Sequence, residues 1–220
     1  MYLLGNFMKY LVLGATGLVG SKIIEKLDPK NEVVAFCRRD FDFPSHVKKN
    51  IVNFEEDFDL PIVDHLFICL GFPVELLDLV IMRKSVKKLF KKVDLDLVTQ
   101  VAKKAKQIGI KNVSVISSVA ASDKSLNYYL KIKGQMENNL RELDFDQLNI
   151  IQPSHMLGER EKPIGHDVKL FEDITNITGN FLFGPLAKFK NVEAEKIATL
   201  MIRKSTEGSN GVNFYSRLDI

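Results

Sequence analysis

What the chain has little of sets the first bounds. Its 220 residues hold two cysteines, Cys37 and Cys69, too few for a disulfide framework. No apolar run approaches the roughly 18–20 residues that a membrane-crossing helix needs, so no membrane span is expected. The opening MYLLGNF has neither a basic stretch nor a small-residue cleavage site. With so little cysteine, that pattern predicts a reducing cytoplasm as the location. Thirteen glycines and seven prolines exclude a collagen-like or low-complexity chain. A net charge of +3 falls short of a nucleic-acid footprint, so no nucleic-acid partner is expected. The four histidines, His46, His65, His155 and His166, show no ligand spacing, and no metal site is expected.

What is present describes a folded domain. Apolar residues make up 45% and charged residues 27%, which excludes intrinsic disorder. Short β-branched runs alternate with longer helical patterns, which predicts βαβ units around a parallel sheet. Strands are expected at 10–13, 32–37, 47–52, 64–70, 112–117, 147–151 and 211–216. Helices are expected at 18–27, 85–108, 125–142 and 191–204. The fold class is therefore α/β, a Rossmann-like doubly wound sheet with helices on both faces. Residues 1–220 read as one domain. Residues 1–7 read as an N-terminal extension, with Met8 a second plausible start. Residues of about 154–190, rich in glycine and proline, read as a small lid over the substrate.

Residues 11–20 read LVLGATGLVG and place Gly14, Gly17 and Gly20 between the first strand and the first helix. Gly14 permits a tight turn off the strand, Gly17 lets backbone approach a pyrophosphate, and Gly20 lets the helix pack close to the sheet. The phosphates would lie at a helix N-terminus, where free N–H groups favour anions. Cys37-Arg38-Arg39 ends the second strand, where an acid would hold the ribose of NAD. Two guanidiniums there suit a 2′-phosphate, so NADP(H) is expected ahead of NAD(H). Asp40 falls beyond the ribose.

A second constellation lies in 114–133, SVISSVAASDKSLNYYLKIK. Tyr129 and Lys133, four apart, share a helix face. The ammonium can stabilise a tyrosinate, so the phenol can exchange a proton with a carbonyl oxygen while hydride moves. Ser118 at the end of the fifth strand is the candidate for orienting that carbonyl, with Ser117 the alternative. Tyr128 lacks a lysine at the same spacing. His155, just after the sixth strand, is either a loop residue or one facing the site. Residues 83–92, RKSVKKLFKK, form an amphipathic helix. Lys84, Lys87, Lys88, Lys91 and Lys92 lie on one side, read as a solvated face ahead of an anionic partner or a membrane surface.

Together these residues resemble the short-chain dehydrogenases/reductases, in the atypical group with a GATGLVG loop, and among them the Tat-interacting-protein-like NAD(P)-binding oxidoreductases. The motifs are Gly14 to Gly20, Cys69-Leu70-Gly71, Val93-Asp94, Ser117-Ser118, Tyr129 with Lys133-Gly134-Gln135-Met136-Glu137, and Gln152-Pro153 with Leu157-Gly158-Glu159-Arg160. The resemblance spans about residues 8–165. It implies that Gly14, Thr16, Gly17, Leu18 and Val19 wrap the pyrophosphate and ribose, and that Arg38 and Arg39 meet the 2′-phosphate. It also implies that Asn53 and Phe54 lie near the adenine, that Cys69, Leu70 and Gly71 line the adenosine ribose, and that Pro153 to Met156 border the nicotinamide. Ser117, Tyr129 and Lys133 join the cofactor site. The expected function is an NADP(H)-dependent oxidoreductase acting on a small carbonyl or alcohol. Asn53, Phe72, Asp94 and Gln152 depart from the family pattern. Phe72, Asp94 and Gln152, with the basic 83–92 face, motivate an alternative, an NADP(H)-binding regulatory, sensor or assembly protein with a protein partner and little or no turnover. An epimerase or dehydratase is a third reading, set against by the short C-terminal part.

Overall fold

A computed structural model describes residues 7–74, 78–79, 81–154, 156–157 and 191–219. Strand β1 (Lys9–Leu13) leads through a turn into α1 (Leu18–Lys26), followed by β2 (Glu32–Cys37), β3 (Val47–Ile51) and β4 (His65–Ile68). A long helical run comes next. It comprises α2 (Lys84–Lys91), a π-helical segment (Lys92–Leu97) and α3 (Val98–Gln107). Then come β5 (Asn112–Ile116), α4 (Tyr128–Arg141), β6 (Gln147–Gln152), the short β7 (Met156–Leu157) and β8 (Val192–Glu193), α5 (Ala194–Glu207) and β9 (Gly211–Ser216).

Seven strands form one sheet in the order β3-β2-β1-β4-β5-β6-β9, and every neighbouring pair is parallel. Successive parallel strands need helical crossovers, which bury both faces of the sheet and call for near-continuous apolar strands. The central strands obey this. In β1 only Lys9 escapes full burial, and all of β4 is buried. Edge strand β3 (VKKNI) buries only Val47, which explains its weak signal in the sequence.

One core holds Leu11, Leu13, Val34, Phe36, Leu66 and Ile68, packed with Phe90, Val98 and Val101 of the long helical run and Met136 of α4. The core on the opposite face holds Tyr10, Val12, Val33, Ala35 and Phe67, packed with Ile23 of α1 and Ile197 and Met201 of α5.

Two helices start three residues later than the sequence predicts. Helix α4 begins at Tyr128 because the Asn127 side chain accepts from Leu130 N–H at 3.1 Å and caps it. Helix α5 begins at Ala194 because Val192 and Glu193 pair in parallel with Met156 and Leu157. Of the proposed lid at 154–190, only Ser154, Met156 and Leu157 are among the described residues.

Candidate active site

The topology gathers the candidate residues at one edge. With all seven strands parallel, Gly14 follows β1, Arg38 and Arg39 follow β2, and Asn53 lies two residues past β3. Cys69 to Gly71 follow β4, Ser117 and Ser118 follow β5, and Pro153 follows β6. All therefore lie along the carboxyl edge. The strand order reverses between β1 and β4, and in open α/β sheets the crevice at such a switch point is where ligands bind.

The glycine loop is shaped for close approach. Gly14 has φ +77°, and a Cβ there would stand 2.5 Å from the Cys69 carbonyl oxygen. A Cβ on Gly20 would overlap the Gly14 carbonyl, so α1 can lie against the turn only without one. Gly17 N–H closes the turn onto Gly14 O at 2.9 Å. Gly17 is also the N-cap residue of α1, with no side-chain cap and no acid in the first turn. The first N–H groups of the helix are left to an anionic ligand. Thr16 and Leu18 are half-buried on this loop, while Val19 is buried beneath it. This cradle fits a diphosphate.

The arginines stand open to solvent. Arg38 and Arg39 are both exposed, and no carboxylate pairs with either among the described residues. Asp40 is bound to Lys49 instead, and that hydrogen bond holds its carboxyl below the ordinary range. Asn53 is exposed in a small turn, accepting from Glu55 N–H at 3.1 Å and donating to Glu56 at 2.6 Å. Cys69 is half-buried, and burial pushes its thiol well above the ordinary range.

The other half is a buried charge network. Lys133 Nζ pairs with Asp94 Oδ1 at 2.7 Å, with side chains only 6% and 2% exposed. Asp94 Oδ2 accepts from Phe72 N–H at 2.7 Å. The lysine also reaches the Ile116 carbonyl at 3.4 Å. Burial alone pulls this ammonium toward neutrality; Asp94, Tyr129 and Glu137 outweigh it, and the group ends above its ordinary value. Glu137, one turn further along α4, accepts from the Ser117 hydroxyl and, at 2.9 Å, from Gln152 Nε2. Burial raises its carboxyl above the ordinary range despite those bonds.

Helix α4 approaches closely because Gly134 faces the Ser122–Asp123 backbone, where any Cβ would collide. Tyr129, half-buried, stacks on Phe90 with ring centroids 5.1 Å apart. Among the described residues the Ser118 hydroxyl bonds only the neighbouring Val119 carbonyl, at 3.3 Å, whereas the Ser117 hydroxyl is committed to Glu137. Tyr128 turns away, bonding the Lys87 carbonyl at 3.4 Å with the Lys87 ammonium over its ring. Pro153 is buried and Met156 half-buried; His155 and His166 lie outside the described residues.

Sequence reasoning placed Asp94 and Gln152 as departures and missed what they do. Gln152 donates to Glu137, and Asp94 is the counter-ion of Lys133. Two signals were present. Asp94 falls four residues after Phe90 and four before Val98, on the stripe those two bury. Glu137 repeats the spacing of Tyr129 and Lys133.

This arrangement, an anion cradle beside a helix that carries a half-buried tyrosine and a buried lysine, is that of a dinucleotide-binding α/β protein. No family model matches the chain. It is 30% identical over 217 residues to "Protein FMP52, mitochondrial" of Meyerozyma guilliermondii, covering 91% of this chain and 89% of that one. It is 31% identical over 162 residues to "Protein HTATIP2" of Rattus norvegicus, covering 69% and 64%. Among solved structures, a UDP-N-acetylglucosamine 4-epimerase from Methanobrevibacter ruminantium shares the fold at a TM-score of 0.70 and 16% identity, covering 96% of this chain and 77% of that one. A short chain dehydrogenase family protein from Francisella tularensis shares it at 0.66 and 12%, covering 95% and 97%. The chain belongs to the family of these FMP52 proteins and is related to HTATIP2, and its fold fits the atypical short-chain dehydrogenases/reductases.

The comparison corrects one expectation. Relatives from several yeasts, Candida albicans and Saccharomyces cerevisiae among them, are named mitochondrial, which overturns the cytoplasmic location. Cysteine usage separates oxidising from reducing compartments. It does not separate one reducing compartment from another.

Proposed function

We propose that the protein is an NADP(H)-dependent oxidoreductase acting on a small carbonyl or alcohol. Gly14, Thr16, Gly17, Leu18 and Val19 hold the diphosphate, largely through backbone, and Arg38 and Arg39 take the 2′-phosphate by charge-assisted hydrogen bonds. Asn53, Cys69, Leu70 and Gly71 border the adenosine; Ser117, Pro153 and Met156 border the nicotinamide end. When bound, the coenzyme supplies hydride to a carbonyl carbon, or accepts it from an alcohol carbon in reverse. Tyr129 gives the proton on its Oη to the carbonyl oxygen. Lys133 stabilises the phenolate left behind and anchors the ribose. Ser118, whose hydroxyl has no side-chain partner among the described residues, orients the carbonyl by donating to the same oxygen. We read the chain as a single domain. The mitochondrial names of the relatives support a mitochondrial location.

The observation that carries this reading is the charged lysine, buried and held one turn from Tyr129 on α4. A buried ammonium is costly to keep, and its use here is to tune the neighbouring phenol. Replacing Tyr129 with Phe should cut NADPH-dependent turnover of a carbonyl panel by roughly 10²–10⁴-fold while coenzyme affinity stays within about threefold. Equal turnover in the two forms removes Tyr129 from the mechanism. Coenzyme binding with no turnover by the wild type on any carbonyl or alcohol would favour the regulatory alternative.

A further inference from the structure

We infer that Asp94 is a positioning residue that keeps Lys133 charged and ties the tyrosine–lysine helix to the loop after β4. The inference rests on the oxidoreductase reading and assigns one more residue to that site. The geometry gives each carboxylate oxygen a separate task. Oδ1 faces the Lys133 ammonium at 2.7 Å, and Oδ2 accepts from Phe72 N–H at 2.7 Å. Asp94 lies in the π-helical segment of an otherwise α-helical run. Such interruptions recur at functional sites. Here the segment sets a lone acid on the apolar side of the helix, between Phe90 and Val98.

The other groups around Lys133 do not replace it. From its own helix the ammonium is faced by Tyr129 and Glu137, and from β5 by the Ile116 carbonyl at 3.4 Å. Glu137 is already engaged by Ser117 and Gln152, and burial works against its charge. Tyr129 helps only once it has ionised. Asp94 is thus the charged partner that offsets the burial of the ammonium, which by itself works against the charge. The same carboxylate is bonded to the backbone of Phe72, beside Gly71, so movement of the 69–72 loop is coupled to the position of Lys133.

Two variants separate the two tasks. Asp94→Asn keeps an acceptor for Phe72 N–H and removes the charge; Asp94→Ala removes both. In Asp94→Asn, NADPH affinity should stay within about threefold. The alkaline limb of kcat should move at least one pH unit lower, so that activity near neutral pH is largely kept and activity at pH 9 falls about tenfold. Asp94→Ala should weaken NADPH binding as well. An unchanged pH profile in folded Asp94→Asn overturns the inference.

A second measurement needs no turnover. With Asp94 present, Lys133 has a raised pKa, so its contribution to stability is complete below the lysine range and is lost as pH rises through it. Without Asp94, burial depresses that pKa. The urea-midpoint deficit of Asp94→Asn relative to wild type should then shrink between pH 7 and pH 10. A constant deficit overturns the inference. Absence of wild-type turnover on every substrate sinks the oxidoreductase reading instead, while the unfolding comparison still decides the role of Asp94.

Discussion

The two halves of the carboxyl edge are built on opposite physical terms. Around β1 and β2, the ligand-facing groups are open: an uncapped helix end, a turn bounded by glycines, and two exposed arginines with no counter-ion among the described residues. Around β5 and α4, most of the charged groups are buried and already paired, Asp94 with Lys133 and Glu137 with Ser117 and Gln152. An open half can recognise a ligand and loses little stability when altered. A buried half can tune a proton and loses much when one member goes, because its partner is left uncompensated. On the proposed function, the contrast separates recognition from chemistry within one site.

The largest effect tests an exception to that contrast. Gly14 belongs to the open half yet is pinned by its positive φ and by the Cys69 carbonyl. Gly14→Ala should cost about 2–4 kcal/mol of unfolding free energy and abolish coenzyme binding, as read by urea denaturation and by titration. A stable variant that binds normally would show that the turn can open without loss.

The next effect concerns the buried side of the sheet, away from the site. His65 Nε2 lies 2.8 Å from Ser114 Oγ, and Asn149 Nδ2 also bonds that hydroxyl, at 3.2 Å. Its Nδ1 has no partner among the described residues, and burial pushes the imidazole pKa down to about 3. The unfolded chain therefore binds the proton that the folded one refuses. The contribution of neutral His65 is present above about pH 6.5 and is lost as pH falls from there toward 3. His65→Gln should flatten the loss of stability between pH 6.5 and pH 4, measured by denaturant titration at both. An identical slope in the variant would assign acid sensitivity to other groups.

The smallest effect belongs to the open half. Arg38→Ala with Arg39→Ala should leave stability within about 0.5 kcal/mol, as expected of exposed positions. The double variant should reduce the preference for NADPH over NADH by about tenfold or more, compared by competitive titration. Unchanged selectivity would mean that the 2′-phosphate is read elsewhere.

The contrast also explains what was legible in the sequence. The glycine loop, the arginine pair and the tyrosine–lysine spacing are local patterns, and each is visible within a few residues. Strands β2 and β9 were read to the residue because short apolar or β-branched runs between turns have few alternatives. The ion pair of Asp94 with Lys133 was not legible, nor was the pairing of Val192 with Met156. Both join residues far apart in the chain, and only the fold decides that they meet. The early start predicted for α4 has a local cause, since helical spacing runs on through Ser125 and Leu126 and only the Asn127 cap stops it.

The central claim is that the 14–19 turn and the arginine pair form a dinucleotide site. Calorimetric titration of the folded protein with NADPH and with NADH tests it most directly. Saturable heat from both, with NADPH binding at least about tenfold tighter, is the predicted result. No heat from either coenzyme on folded protein would contradict it.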